Sequence, residues 1–472
     1  MRDFETVIGL EVHVELKTET KIFCSCSTAF GAEPNTQVCP VCLGLPGTLP
    51  VLNEKVLEYA LRAGLALNCS IASASKQDRK NYFYPDLPKA YQISQFDMPL
   101  CTKGFLDIES DGNAKRIGIT RIHIEEDAGK LLHRDGETLI DCNRCGVPLI
   151  EIVSEPDMRS SAEAVAYLKK LRSALLFAGV SDCKMNEGSL RCDVNLSVRK
   201  KGEPLGTRCE LKNLNSFKFI EKAIEFEAKR QIDVITSGGT VEQETRRFDE
   251  DLCRTFSMRK KEEQSDYRFF TEPDLPPIEL SADRIEEIKR ALPKSPEHRM
   301  QEYFEKYSVP LRDGETLTSS PEIAEYFESC AGLCVNPRIL ANLILSEIMG
   351  ISAEGDGIDR ISPKNLAKLA DLIASETINS ATAKKLIRQM WEKDLDPEKE
   401  VLEKGLSQIN DEATVRAFVL EAIKKSEKAV EDYKKGKATA ARSIIGRAMG
   451  ESHGQANPVL VAKIVEEELS LL

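Results

Sequence analysis

Long apolar runs are missing from this chain of 472 residues. No uninterrupted apolar stretch approaches the roughly 20 residues needed to cross a bilayer, so a membrane is not an expected partner. The first twenty residues also lack a basic start, an apolar run and a small-residue cleavage site, which points to a cytoplasmic soluble protein. An excess of positive charge is missing as well, the formal net charge being -12 at pH 7. That argues against a surface serving throughout as a nucleic-acid footprint and against DNA as a partner, while leaving room for a local basic patch. Neither G-x-x-x-x-G-K-[ST] nor G-x-G-x-x-G follows a strand-like segment, which sets aside P-loop and Rossmann nucleotide sites.

Cysteine, by contrast, is plentiful, with 14 residues. Without an export signal these read as thiols or metal ligands rather than disulfides. Cys24 and Cys26 form C-x-C, and Cys39 and Cys42 form C-x-x-C in a turn-rich loop. Two short pairs joined by a free loop can surround one tetrahedral Zn²⁺, and a site of four cysteines is closed, hence structural. The competing reading is four unrelated thiols. Cys142 and Cys145 repeat C-x-x-C without a second pair nearby and are read as free thiols.

The most informative stretch is Glu5 to Leu16, ETVIGLEVHVEL. Strand periodicity puts Leu10, Val12, Val14 and Leu16 on one face and Gly9, Glu11, His13 and Glu15 on the other. The same design recurs. Ile122 and Ile124 oppose Arg121, His123 and Glu125; Glu151 interrupts apolar neighbours in GVPLIEIVSEPD. In LRCDVNLSV, Leu190, Cys192, Val194, Leu196 and Val198 oppose Arg191, Asp193, Asn195 and Ser197, and Cys209 and Leu211 oppose Arg208, Glu210 and Lys212. In an antiparallel sheet these strands would gather Glu11, His13, Glu125, Glu151, Asp193 and Glu210 on one surface. Carboxylates so close repel unless cations intervene, and oxygen ligands with an imidazole suit Mg²⁺ or Mn²⁺. Arg121, Arg191, Arg208 and Lys212 are what a phosphate-bearing ligand would need beside that metal. The plainer alternative is a solvated sheet face laced with salt bridges.

Helical periodicity marks Val51 to Leu67, Ala162 to Ala178 and Phe217 to Ile235. Between them, Lys80 to Gln95 (KNYFYPDLPKAYQISQ) carries Tyr82, Phe83, Tyr84 and Tyr91, which either stack on a planar ligand or RNA or plug the core. Thr271 to Pro277 closes the strand-dominated part. From about Pro293 helical spacing continues nearly to the end, broken near Pro337, Pro363 and Pro397. The last part concentrates Lys424, Lys425, Lys428, Lys434, Lys435, Lys437, Arg442 and Arg447, either a solvated helix face or an RNA backbone contact.

Taken in order, VIGLEVHVEL, the four cysteines with FGAEPNTQVCPVCLGLPG, YFYPDLPKAYQISQ, HIEEDAGK, GVPLIEIVSEPD, RCDVNLS and ELKNLNS resemble the B subunits of bacterial aspartyl/glutamyl-tRNA amidotransferases across nearly the whole chain. The resemblance implies an α+β fold: an N-terminal cradle domain on an antiparallel sheet with backing helices (1–292, zinc loop 24–42), an all-helical domain (293–405) and a helical YqeY-like tail that contacts tRNA (406–472). It implies a heterotrimer with an amidase A subunit and a small C subunit. This chain would use ATP and Mg²⁺ to phosphorylate the side-chain carboxylate of Glu-tRNA(Gln) or Asp-tRNA(Asn), and ammonia from the A subunit would displace phosphate.

Under that reading Glu11, His13, Glu125, Glu151, Asp193 and Glu210 are the catalytic candidates. Magnesium falls to Glu11, His13, Glu125, Glu151 and Glu210, ATP phosphate to Arg191 and Lys212, and tRNA to Lys434, Lys435, Lys437, Arg442 and Arg447. One departure lies in the tail, where GRAMGESHGQANP (Gly446 to Pro458) lacks the Lys-bearing turn frequent in the family, although Gly454 to Pro458 matches. The alternative from another class is a zinc-stapled RNA-binding protein without catalysis.

Overall fold

A computed structural model describes residues 3–82, 84–260, 267–352, 357–435, 437 and 439–471. Phe83 of the Tyr-rich segment lies outside them. The chain divides into two compact units, Met1–Ser295 and Pro296–Leu472.

In the first unit the strands are Phe4–Glu15 (β1), Ser70–Ile71 (β2), Ala74–Ser75 (β3), Asp78–Asn81 (β4), Tyr91–Ser94 (β5), Cys101–Ser110 (β6), Asn113–Glu126 (β7), Lys130–Arg134 (β8), Glu137–Asp141 (β9), Pro148–Ser154 (β10), Leu190–Lys200 (β11), Cys209–Lys212 (β12), Glu244–Asp249 (β13), Arg254–Lys260 (β14), Phe270–Thr271 (β15) and Ile278–Glu279 (β16). The helices are Glu54–Ala66 (α1), Ser161–Phe177 (α2), Phe217–Thr236 (α3) and Ala282–Arg290 (α4). Nine strands form one sheet in the order β14-β13-β12-β11-β1-β10-β7-β6-β2. All its neighbours are antiparallel except β12 and β13, which run parallel. This departs from the all-antiparallel expectation because α3 intervenes between β12 and β13, and a helical crossover returns the chain in its original direction.

The apolar face of β1 meets those of its neighbours: Leu10, Val12, Val14, Ile122, Ile124, Ile150, Ile152, Val194 and Leu196 are all buried. Tyr167, Leu168, Leu171 and Leu175 of α2 and Ile220, Ala223 and Ile224 of α3 join the same core. Each such aliphatic side chain contributes about 1.5–3 kcal/mol relative to exposure, so this face alone sets the register of the sheet. The helices start where the sequence caps them. Asn53, Ser160 and Ser216 each accept a backbone N–H of the first turn, and the Glu163 carboxylate accepts from the Arg159 amide.

The second unit is helical throughout its described residues, from Pro296–Tyr307 to Pro458–Ser470. It holds two apolar cores, one running from Tyr303 to Val401 and one from Val415 to Leu469. Pro337, Pro363 and Pro397, which interrupt the periodicity, each stand at the first position of a new helix, where the missing N–H has no partner to lose. Among the described residues no helix is long and apolar enough to cross a membrane.

Candidate active site and cysteine cluster

The face of the large sheet opposite the core carries the polar residues, and strand register decides which of them meet. His13 pairs with Glu151 on one side and with Arg191 on the other, and Glu151 pairs with His123. One row thus reads Arg191, His13, Glu151, His123 across β11, β1, β10 and β7. Two residues along, Asp193 faces Glu11, and Asn195 faces Glu210 on β12.

The middle of this face is a tight cluster. His13 Nε2 lies 3.3 Å from Glu125 Oε1 and 3.5 Å from Glu151 Oε2. His123 Nε2 lies 3.4 Å from Glu151 Oε2 and 3.8 Å from Glu125 Oε2. Side-chain exposure falls to 3 % for Glu125 and 4 % for His123, whereas His13 keeps 22 % and so forms the open side. Burial works against an imidazolium at His13, yet the hydrogen bonds and charges of Glu125 and Glu151 outweigh it and hold its pKa up at about 10. Burial likewise opposes ionised Glu125, but His123 and His13 draw it down to about 2, and Glu151 is pulled well below the usual carboxylate range by the same two rings. The two imidazoles and the two carboxylates thus favour one another's charged forms.

The donor set fits a hard divalent cation. One ligand atom each from His13, Glu125 and Glu151 can be chosen so that all lie within 4.8 Å of one another. Glu11 and Glu210 share the face but are not in that grouping. Glu11 accepts from Asn195 Nδ2 at 2.8 Å, and its carboxyl is raised by burial and by the charge of Glu151. Glu210 accepts from Thr245 Oγ1 at 2.8 Å and lies 3.2 Å from Lys212 Nζ. Lys212 also pairs with Asp193, and these two carboxylates keep it charged against the pull of burial. Arg191 is tied to Asp127 at 2.9 Å, and Asp127 also accepts from Arg144.

Four of these participants escape sequence reasoning. Alternation places His123 on the polar face with Glu125 but does not put it in the cluster, because its meeting with Glu151 depends on the register of β7 against β10. Asp127 and Arg144, which fasten Arg191, and Thr245, which fastens Glu210, come from connections or from a strand with no clear alternation. The Tyr-rich loop divides its residues. Tyr91 sits on β5 under Arg79, while Tyr82 donates to Gln92 Oε1 at 3.3 Å and Tyr84 is exposed.

The second cluster lies in the loop after β1. The sulfurs of Cys24, Cys26, Cys39 and Cys42 are all within 4.8 Å of one another, as one tetrahedral ion requires. Cys42 is the focus: the Cys39 amide donates to its sulfur at 3.2 Å and the Lys21 ammonium lies 3.7 Å away. The hydrogen bond from Cys24, with Cys39 and Lys21, lowers the Cys42 thiol to about 4, whereas burial holds Cys26 up at about 11. Lys21 is fully buried and also donates to the Cys142 carbonyl at 3.4 Å. The loop is pinned to the end of β9 and the chain that follows it. Asn35 donates to the Ile140 carbonyl at 2.9 Å and accepts from the Cys142 amide at 2.7 Å, and Gln37 N donates to Asn143 at 2.8 Å. Cys142 and Cys145 stand apart from the four-sulfur grouping as free thiols.

In the tail, Lys434 ends the helix Glu427–Lys434, and Arg442 and Arg447 lie on Ala440–Glu451; these three, with Lys435 and Lys437, are exposed. Lys437 pairs with Asp432 at 3.1 Å, Lys435 with Glu431 at 3.6 Å, and Arg447 donates to the Lys425 carbonyl.

Comparison with known proteins agrees with this layout. Residues 6–286 match the family model described as the GatB/GatE catalytic domain, and residues 325–469 match the GatB domain. The chain is 56 % identical over 476 aligned residues, 99 % of each chain, to the B subunit of the aspartyl/glutamyl-tRNA(Asn/Gln) amidotransferase of Caldicellulosiruptor saccharolyticus. The chain belongs to the family of aspartyl/glutamyl-tRNA amidotransferase B subunits. Proteins of the same name from Caldanaerobacter subterraneus and Geotalea uraniireducens are 55 % and 51 % identical, again over 99 % of both chains. The carboxylate–imidazole cluster and the cysteine loop both fall within the segment matched by the catalytic-domain model.

Proposed function

We propose that the chain activates the side-chain carboxylate of Glu-tRNA(Gln), Asp-tRNA(Asn) or both by ATP-dependent phosphorylation, and so prepares it for amidation. The observation that carries this reading is the buried grouping of His13, Glu125 and Glu151 with the cation Lys212 on the same sheet face. A carboxylate is a poor acyl donor because its leaving group would be oxide, whereas an acyl phosphate leaves as phosphate. The carboxylate oxygen bonds the γ-phosphorus as the bridging oxygen departs with ADP, and ammonia then attacks the acyl carbon and expels phosphate.

His13, Glu125 and Glu151, with Glu11 and Glu210 at the margin, are the residues that would hold Mg²⁺. When bound, Mg²⁺ neutralises phosphate charge in the water-poor site. Lys212, held by Asp193 and Glu210, places a fixed positive charge at the other end of the face, and Arg191, oriented by Asp127, places a second. Asp193 acts by positioning Lys212. The four cysteines hold structural Zn²⁺ and staple their loop.

Ammonia comes from an amidase A subunit, and a small C subunit completes the heterotrimer. Lys434, Lys435, Lys437, Arg442 and Arg447 meet the tRNA backbone, and the three domains 1–292, 293–405 and 406–472 divide chemistry, spacing and tRNA contact. These substrates place the work in the cytoplasm. A non-catalytic RNA-binding role gives no purpose to two imidazoles closed against two buried carboxylates. The test is Mg²⁺-dependent ATP hydrolysis stimulated by misacylated tRNA in the assembled complex. Stimulation is expected, and its absence overturns the kinase role.

A further inference from the structure

A ladder of four aromatic rings stands beside the carboxylate cluster and takes no part in the apolar core. Tyr82 meets Tyr267 edge-on with centroids 5.7 Å apart, Tyr267 meets Phe269 edge-on at 6.0 Å, and Phe269 stacks on Phe96 at 4.2 Å with planes 9° apart. The Lys80 ammonium lies 5.1 Å from the Tyr267 ring and 5.7 Å from Tyr82. The inner end is linked to the site through β5: Tyr82 donates to Gln92, whose Nε2 donates to the Glu126 carbonyl at 2.6 Å, and two residues along β5 Ser94 Oγ donates to Glu125 at 3.5 Å. The outer end is in water, with Phe96 51 % exposed. Rings that only filled a core would not leave a stacked phenylalanine half in solvent beside an acidic site and a lysine, whereas base-stacking surfaces combine these features.

We propose that this ladder stacks adenine, and that the adenine is the terminal nucleotide of the misacylated tRNA. The proposal rests on the carboxylate-activating function. Sheet order favours this source over ATP. From β12 to β7 the face presents Lys212 and then the carboxylate–imidazole cluster; past Ile122, where β6 stops pairing with β7, the remaining edge of β7 meets the β5 segment of the small sheet β15-β4-β5, with Ile124 N donating to Gln95 Oε1 at 2.9 Å and Gln92 Nε2 donating to the Glu126 carbonyl, and the rings flank that sheet. In-line phosphoryl transfer puts the attacking and leaving oxygens on opposite sides of phosphorus. With the triphosphate charge at Lys212, the attacking carboxylate arrives from the β7 side, and it is carried on the ribose of a terminal adenosine. Lys80 beside the rings suits the phosphate preceding that nucleoside.

The experiment uses the complete amidotransferase complex carrying Phe96→Leu, Tyr267→Leu or Phe96→Tyr. Amidation is followed with misacylated tRNA and ATP varied in turn, and binding is compared for uncharged tRNA with and without its terminal adenosine. Phe96→Leu and Tyr267→Leu should raise the KM for misacylated tRNA about tenfold, in line with the stacking of one base, and leave the KM for ATP within about twofold. They should also erase the preference for tRNA that retains its terminal adenosine, and Phe96→Tyr, which keeps a ring face, should lose less than Phe96→Leu. A rise confined to the KM for ATP would assign the ladder to the nucleotide and overturn the tRNA assignment. No change in either KM, with circular dichroism showing intact folds, would overturn the stacking role. Failure of the underlying function shows differently, as a wild-type complex without tRNA-stimulated ATP hydrolysis.

Discussion

The cysteine loop draws its four sulfurs from residues 24–42, whereas the carboxylate–imidazole cluster takes its groups from residues 13, 123, 125 and 151 on three strands. The first is a local device: a turn-rich loop closes on itself and side-chain softness selects the ion. The second is a product of register, since a slip of one residue on β1 would send His13 into the core and Val12 or Val14 into the site. They also meet charge differently. The cysteine site keeps one low thiol beside Lys21, while the sheet site sets two imidazoles against two carboxylates, each shifting the other toward its charged form. The proposed division of roles follows this difference, the closed site going to the scaffold and the open one to the chemistry.

The strongest way to break this contrast is to mutate each cluster and read both outputs. Under the proposed function, Glu125→Gln should lower glutamine-dependent and ammonia-dependent amidation alike by ~10²–10³-fold, because that role gives Glu125 a buried charge at the transferring group. Its zinc content, measured by elemental analysis, should stay near one per chain. Retained ammonia-dependent activity would remove Glu125 from the kinase role. Cys39→Ser should do the reverse, releasing zinc and destabilising the first unit by about 3 kcal/mol or more, seen as a Tm lower by near 10 °C.

A subtler test uses the protons. His13 titrates at about 10 in the folded chain against 6.5 for an ordinary imidazole, so its ion pairs stabilise the metal-free fold fully below about pH 6.5 and are lost as pH rises through about 10. Mg²⁺ held by His13, as proposed, would displace that proton, so binding should tighten as pH rises from 7 toward 10 and release about one proton per ion. Calorimetry in buffers of different ionisation heat measures the release, and none at all would show that the cation sits elsewhere. The smallest expected effect is Asn35→Ala, which removes its ties between the cysteine loop and the end of β9 with the chain that follows it. A loss of about 1–2 kcal/mol in denaturant unfolding, with zinc retained, is expected.

Some of this was legible from spacing alone. The alternation in ETVIGLEVHVEL fixed which face of β1 is buried, because a period of two leaves an apolar residue no other place to go. The helix starts at Ser160 and Ser216 and the prolines at 337, 363 and 397 carried their boundaries with them. β13 and β14 were not legible: Glu244–Asp249, ETRRFD, has charges on both faces, since one side carries Thr245 against Glu210 together with the exposed Arg247, and the other meets the buried Glu227. Their parallel entry beside β12 follows from α3 and not from any residue in the strands.

By itself, then, the sequence determined the family, from motifs in order along the chain, the polar and apolar faces, from alternation within each strand, and the cysteine grouping, from two short pairs in one loop. Only the tertiary structure decided that His123 joins His13 between Glu125 and Glu151, that Glu11 and Glu210 are held by Asn195 and Thr245, and that four rings flank the small sheet β15-β4-β5. The reason is that cross-strand register and the packing of one sheet's edge on another are set by hydrophobic burial summed over the whole unit, which no local window of sequence contains.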